Sequence, residues 1–363
     1  MKIVLFCHSL LSDWNHGNAH FLRGICSELL SRGHSLTVYE PENSWSYQNL
    51  VADEGEQSLA EFAATYPNLR STRYRTLDLE KALKDAQLAI VHEWNSPALI
   101  NEIGRVRART SSFRLLFHDS HHRAATQPGA IAKLDLSGFD GVLAYGTSLR
   151  DIYLRNGWVR RAWVWHEAAD TRVFRPLPQA EKQYDLAWIG NWGDDERTSE
   201  LYEFLIQPIR DLKLKAIVYG VRYPAFALQT LAESGILYGG WLANFRVPAI
   251  FGQARITLHV PRRPYMNALP GIPTIRPFEA LACGIPMVSA PWQDTDGLFR
   301  VGKDLLFAQS GREMTNRLDT LLSGPSLAKD MARNGLETIH NKHTCGHRVD
   351  QLFEILDALD CEA

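Results

Sequence analysis

Short, uninterrupted apolar runs recur along the chain, separated by longer polar or amphipathic stretches. In the first half they are Ile3–Cys7, Ser35–Tyr39, Leu88–Val91, Arg114–Phe117 and Gly141–Tyr145. In the second half they are Tyr184–Ile189, Lys215–Tyr219, Ile236–Tyr238, Arg255–Val260, Met287–Ala290 and Leu305–Phe307. Runs of this length, rich in Val, Ile and Leu, predict strands buried on both faces of parallel sheets. Amphipathic stretches between them predict crossover helices at Ala19–Ser31, Ser148–Asn156 and from 199 to about Asp211. Residues 41–85 are polar and helical in tendency, and His347–Leu359 predicts a final amphipathic helix. Ala162–Trp165 leads into His166–Pro176, and Leu177–Gln183 marks a linker between two βαβ series. The expected architecture is α/β, with two doubly wound Rossmann-like parallel-sheet domains. They span 1–176 and 184–342, and 343–363 forms a C-terminal helix.

One stretch, Gly271–Trp292, combines loop, short helix, Gly-Pro turn and strand. Pro277 suits the first helical position, and Gly284 with Pro286 ends the helix. A helix N-terminus preceded by Thr274, Ile275 and Arg276 offers backbone N–H groups, a positive dipole end and a guanidinium, a set suited to phosphate. Glu279, in the first turn, can accept hydrogen bonds from sugar hydroxyls. Local physics alone also allows an ordinary αβ unit with Glu279 favoured by the helix dipole.

Arg276-Pro-Phe-Glu-Ala-Leu-Ala-Cys-Gly284 and Pro286 resemble the donor-binding motif of GT-B glycosyltransferases, in particular the family 4-like and CgeB-like groups. The resemblance implies two domains facing across a cleft, a C-terminal helix crossing back to the first domain, and sugar transfer from a nucleoside-diphosphate sugar without a metal. It implies that Glu279 holds the ribose and that the helix N-terminus holds the diphosphate. Many family 4 members carry a second glutamate two turns earlier, where this chain has Gly271.

In open α/β sheets, ligands sit beyond the carboxyl ends of strands. After the first strand, Asp13, Trp14, His16, Gly17 and Asn18 suit a hydroxylated acceptor, and no G-x-G-x-x-G fingerprint is present. Asn43–Tyr47 is a further acceptor-side loop. The run after Arg114–Phe117 delivers His118, Asp119, His121 and His122, in which Asp119 with His121 or His122 forms a candidate base and orienting carboxylate. For an inverting reaction the base candidates are Asp119, His121, Asp13 and His16, and a retaining reaction requires none. In the second half, Gly190, Asn191 and Arg197 form the expected diphosphate loop with Arg222 assisting, and Trp241 with Leu242 is similar to the segment that cradles the base. Pro261–Asn267 brings two more cations to the same region.

Bulk composition narrows the alternatives. The 363 residues carry Lys+Arg 39 against Asp+Glu 41, so no global basic field indicates nucleic acid. Five scattered cysteines fit reduced thiols in a cytoplasmic protein, and Lys2–Cys7 is too short for a signal peptide. No apolar run reaches the roughly 20 residues needed to span a bilayer. Asp294-Thr-Asp296 and the pair Asp194-Asp195 lack the context of a metal site, and no metal or other cofactor is expected. The expected function is glycosyl transfer from a UDP- or GDP-sugar to a hydroxylated acceptor. A GT-B sugar-nucleotide epimerase and a non-catalytic nucleotide-sugar-binding protein are the alternatives.

Overall fold

The computed structural model describes residues 1–110, 113–177, 181–193 and 195–361. The chain divides into two compact units: Met1–Glu167 with the C-terminal segment from Cys345, and Ala168–Thr344. The division falls within the phrase 166–176; residues 178–180 of the linker and Asp194 lie outside the described residues.

The first unit is built on seven parallel strands in the order β3-β2-β1-β4-β5-β6-β7. These are β1 (Lys2–Phe6), β2 (Ser35–Pro41), β3 (Thr72–Tyr74), β4 (Leu88–His92), β5 (Arg114–Asp119), β6 (Gly141–Ala144) and β7 (Ala162–Val164). β1 lies between β2 and β4, with Ile3 opposite Leu36 on one side and Leu88 on the other. Strands β4 and β6 are buried along their whole length, which is why they read as continuous apolar runs. The stretch read as helical between 41 and 85 does hold helices Trp45–Glu54, Gln57–Thr65 and Leu79–Leu83, but it also supplies β3. That strand has three residues at a sheet edge, too few for a periodic signal.

The helix Cys345–Cys361 packs against the helix Ala19–Ser31 and completes this unit. Arg348 fixes it. Its guanidinium is buried and donates to the carbonyls of His166 (2.8 Å) and Glu167 (3.3 Å), while the indole N–H of Trp165 donates to the Arg348 carbonyl at 2.7 Å. Burial pulls the Arg348 pKa down to about 10, so the group stays charged at neutral pH.

The second unit holds six parallel strands in the order β10-β9-β8-β11-β12-β13. They are β8 (Tyr184–Ile189), β9 (Ala216–Tyr219), β10 (Leu237–Tyr238), β11 (Ala254–His259), β12 (Met287–Ser289) and β13 (Leu306–Phe307). Its core joins Leu186 and Trp188 of β8 to Val218, Ile256, Leu258 and Val288 on neighbouring strands, and to Leu205, Ile209, Leu231 and Met314 on the covering helices. The helix after β8 runs through a wide π turn at Tyr202–Ile206 before Gln207–Leu212. Pro208 lacks the N–H that an α-helical turn requires, and the wider turn accommodates it.

Arg348→Leu is expected to lower stability by about 2–4 kcal/mol, because two buried carbonyls lose a charged donor. The loss should register as a lower urea midpoint at unchanged m-value, with Arg348→Lys recovering part of it.

Candidate functional site

In both sheets the strand order reverses once, between β1 and β4 and between β8 and β11. The loops leaving the two strands diverge at such a point and open a ligand crevice. The residues selected from the sequence collect around these two places.

In the second unit, Gly190 follows β8, and its backbone meets the loop after β9 closely. A Cβ on Gly220 would lie 2.2 Å from the Gly190 carbonyl oxygen, and Gly220 has φ +153, so only glycine fits. The Asn191 side chain accepts from the Val221 N–H at 2.8 Å, and Gly220 N–H donates to Gly240 at 2.8 Å. These bonds join the loop after β8 to the Gly239–Leu242 segment. Arg197 closes the other side. It donates to the carbonyls of Val260 (2.7 Å) and Asn191, and its guanidinium lies 5.1 Å from the Trp188 ring centroid.

Arg197 does not stand alone. Burial, then the fields of Arg262 and Arg276, lower its pKa to about 10, with Tyr223 and Glu196 acting in the opposite direction. Three guanidinium groups thus come close enough to oppose one another at the switch point. Arg262 is paired with Glu196 at 3.1 Å. His259, at the end of β11, donates or accepts through Nδ1 with Ser289 Oγ at 2.9 Å, and burial together with Arg197 pulls its pKa down to about 3. It is therefore neutral and adds no further charge. Arg222 is exposed on the loop after β9, at φ +60, and is not among the charges acting on Arg197.

The second of two helices between β11 and β12 spans Ile275–Ala282. It starts two residues earlier than the proline signal implied, so Pro277 occupies the third position and Glu279 the second turn. Pro277 is tolerated there because the first-turn N–H groups have no intrahelical partner. Thr274 enters the helix at φ 67, a left-handed conformation costly for a β-branched residue and characteristic of ligand-facing backbone. Glu279 is fully buried, and its carboxylate accepts from Asn244 Nδ2 at 2.7 Å and from Arg276. Asn244, two residues beyond Leu242, thereby links the segment of Trp241 and Leu242, both half-buried, to the helix. Gly271 has φ +89, and a Cβ there would lie 2.6 Å from Thr295 Oγ1 and 2.7 Å from Asp296 Oδ1. No side chain fits at this position. Asp294 accepts from the N–H groups of Leu298 and Phe299, both at 2.9 Å, so it serves its own turn.

In the first unit the selected residues separate into three groups. Asp13 is bound to Arg23 at 2.7 Å, both side chains buried, and Trp14 donates to Asp53 at 2.7 Å. Asp119 accepts from Tyr153 OH at 2.6 Å and from the backbone N–H of His121 at 2.9 Å. The His121 ring lies against His122 (4.1 Å) and edge-on to Trp94 (5.0 Å). The third group is a line of imidazoles. His8, His16, His92 and His118 follow one another at centroid separations of 5.8, 6.2 and 5.1 Å. Asn18 reaches it through Ser120, which bonds His92 Nε2 at 3.2 Å, and also donates to Glu167 at 3.0 Å. His118 is completely buried, while Gly17 is exposed in the loop. Among the described residues, no cluster of His, Cys, Asp or Glu has metal-holding geometry.

Three residues were given no role from the sequence. Glu93, buried and paired with Arg123, shares the carboxyl end of the sheet with Asp119. Asn244 joins the second unit's group, to which Arg262 comes as one of the two cations of Pro261–Asn267. Position just past a strand was the one available signal for Glu93; Asn244 gave none.

Residues 197–354 match the model of a family described as "Glycosyl transferase-like", a stretch covering most of the second unit and the start of the last helix. No curated protein matches the chain significantly. The chain superposes along nearly its whole length on Anabaena HepE in complex with UDP and glucose, at 14% identity and a TM-score of 0.70, covering 98% of this chain and 99% of that one. The fold is GT-B. Sucrose-phosphate synthase from Thermosynechococcus elongatus shares it at 10% identity and a TM-score of 0.67, with both chains covered completely. T4 phage BGT, solved with its UDP-glucose substrate, shares it at 13% identity and 0.61, covering 99% of this chain and 100% of that one.

The imidazole line sets a pH dependence. Burial, and for His16 and His92 neighbouring histidines too, depresses the pKa of His8 to about 4 and those of His16 and His118 to about 3; His92 falls well below its ordinary value. Each histidine is neutral when folded but takes a proton near pH 6.5 when unfolded. Stability is present above about pH 6.5 and is lost as pH falls below it. Burial and the facing Asp119 raise Glu93, and burial raises Asp119; such groups hold protons in the folded state, so their contribution weakens as pH rises. Denaturation curves should show greatest stability near about pH 6.5, and Glu93→Gln should flatten the decline towards about pH 8.5.

Proposed function

We propose that the protein transfers a sugar from a nucleoside-diphosphate sugar, UDP-sugar first, to a hydroxylated acceptor. The second unit binds the donor, and the first unit the acceptor. The convergence of Arg197, Arg262 and Arg276 at the switch point of the second sheet carries this reading. Arg262 and Arg276 already hold carboxylates, those of Glu196 and Glu279, and a diphosphate at the helix N-terminus offers all three guanidinium groups a shared anion. Two of the fold's neighbours were solved with UDP or UDP-glucose, which supports uracil as the base. The motif 276–284 favours the family 4-like and CgeB-like branch.

Arg276 donates to Glu279 within the proposed donor site. A diphosphate competes for the guanidinium and draws it away, and the freed carboxylate oxygen then takes a ribose hydroxyl. Asn244 keeps the other oxygen fixed. Arg197 and Arg276 then stabilise the charge that develops on the leaving diphosphate, which makes a metal unnecessary. Asp119 and Asp13 are committed to Tyr153 and Arg23. That commitment favours a retaining course, in which the departing diphosphate accepts the acceptor's proton.

UDP at a hundredfold excess over its Kd should stabilise the protein by about 2.7 kcal/mol, seen as a higher melting temperature. Glu279→Ala and Arg197→Ala should each abolish most of the shift. The absence of a shift with any UDP-, GDP-, TDP- or ADP-sugar would sink the donor assignment. Turnover of the sugar nucleotide without acceptor would mark an epimerase, and binding without turnover a binding protein.

Transfer measured with a matched acceptor should be unchanged by a chelator. A loss restored by Mg²⁺ or Mn²⁺ would show that the arginines do not suffice.

A further inference from the structure

The outer edge of the first sheet carries a surface that neither ligand region uses. Between Arg150 and Arg161 the chain holds four arginines, at 150, 155, 160 and 161, against one carboxylate, Asp151. Asp151 is taken by Arg150 at 2.7 Å. Arg155 donates to the Asp151 carbonyl at 3.2 Å, and neither it nor Arg160 forms an ion pair among the described residues. Both are exposed. The positive charge is therefore turned towards solvent.

Apolar groups stand among these cations. Leu154 is 40% exposed, and Trp158, Val159 and Trp163 are half-buried. A recess of about 270 Å³ opens between β7 and the last helix, lined by Leu154, Arg160, Arg161, Trp163 and Leu359. The acidic residue nearest in sequence to Leu359, Asp360, is already bound to Arg114. Arginines on an edge strand also discourage pairing with another sheet, but that role needs neither an exposed leucine nor flanking tryptophans.

We propose that this edge docks on an anionic phospholipid surface, with Arg155, Arg160 and Arg161 on the lipid phosphates and Leu154 and the tryptophan edges at the headgroup boundary. Tryptophan beside arginine is the combination that settles at a membrane–water interface, since one part is apolar and the other wet. A nucleic-acid backbone would use the arginines equally well but would gain little from Leu154. Among the described residues no helix is long and apolar enough to cross a membrane, so the contact is peripheral. It orients the first unit on the surface and is independent of the sugar-transfer reading.

The test is co-sedimentation of the full chain with vesicles of phosphatidylcholine alone and of phosphatidylcholine with phosphatidylserine. Binding is expected to the anionic vesicles only and should weaken with added salt. Each arginine near the surface contributes roughly fivefold, so the double variant Arg155→Ala/Arg160→Ala should bind at least about tenfold more weakly. Leu154→Ser should weaken binding at an unchanged salt slope. All these positions are exposed, and an unchanged melting temperature shows that the variants fold. No binding to anionic vesicles, equal binding to both kinds, or unaffected variants would overturn the proposal. Displacement from anionic vesicles by a DNA or RNA duplex at equal phosphate and salt would likewise overturn it, in favour of a nucleic-acid partner.

Discussion

A buried guanidinium holds the second unit's site together. Arg197 donates to Asn191 after β8 and to Val260 after β11, so one side chain spans the two strands at which the sheet order reverses. The loop carrying Gly190, the Gly220 contact behind it and the approach of Arg262 all depend on that bridge. Its cost is evident in the depressed pKa, since the charge is both desolvated and opposed by two more arginines. Those two arginines are themselves paired, Arg262 with Glu196 and Arg276 with Glu279.

The first unit handles polarity differently. Its histidines are neutral by burial and arranged ring against ring. Its carboxylates are each given a dedicated donor: Asp13 has Arg23, Asp119 has Tyr153 and Glu93 has Arg123. The carboxyl end of this sheet is therefore rich in hydrogen-bonding groups and poor in net charge. The two units are thus electrostatically unlike although their sheets are built by the same rule.

The central strands were legible because both faces are covered and the whole run must be apolar. β3 escaped because a three-residue edge strand has no pattern to show, and the π turn because Pro208 reveals a disruption without its form. Legibility of the site follows the same logic. Arg276 and Glu279 sit three apart on one helix, so their meeting follows from local spacing, as does the position of the phosphate helix within a margin of one turn. The Asn244–Glu279 bond, the Arg123–Glu93 pair and the turning of Asp119 towards Tyr153 join distant segments, and no local pattern announces them. Sequence spacing placed Asp119 beside His121, whose backbone N–H it does accept; the tertiary structure gave the other carboxylate oxygen to a tyrosine from the helix Thr147–Arg155.

The first unit is assembled from two pieces of chain, with all of Ala168–Thr344 between them. During synthesis the sheet of β1 to β7 is complete long before Arg348 emerges, and the apolar face that awaits the last helix stays uncovered throughout. The second unit is contiguous, so the packing of the first is completed only after the whole of the second has been made. Until then the carbonyls of His166 and Glu167 lack the Arg348 guanidinium that donates to them in the folded chain.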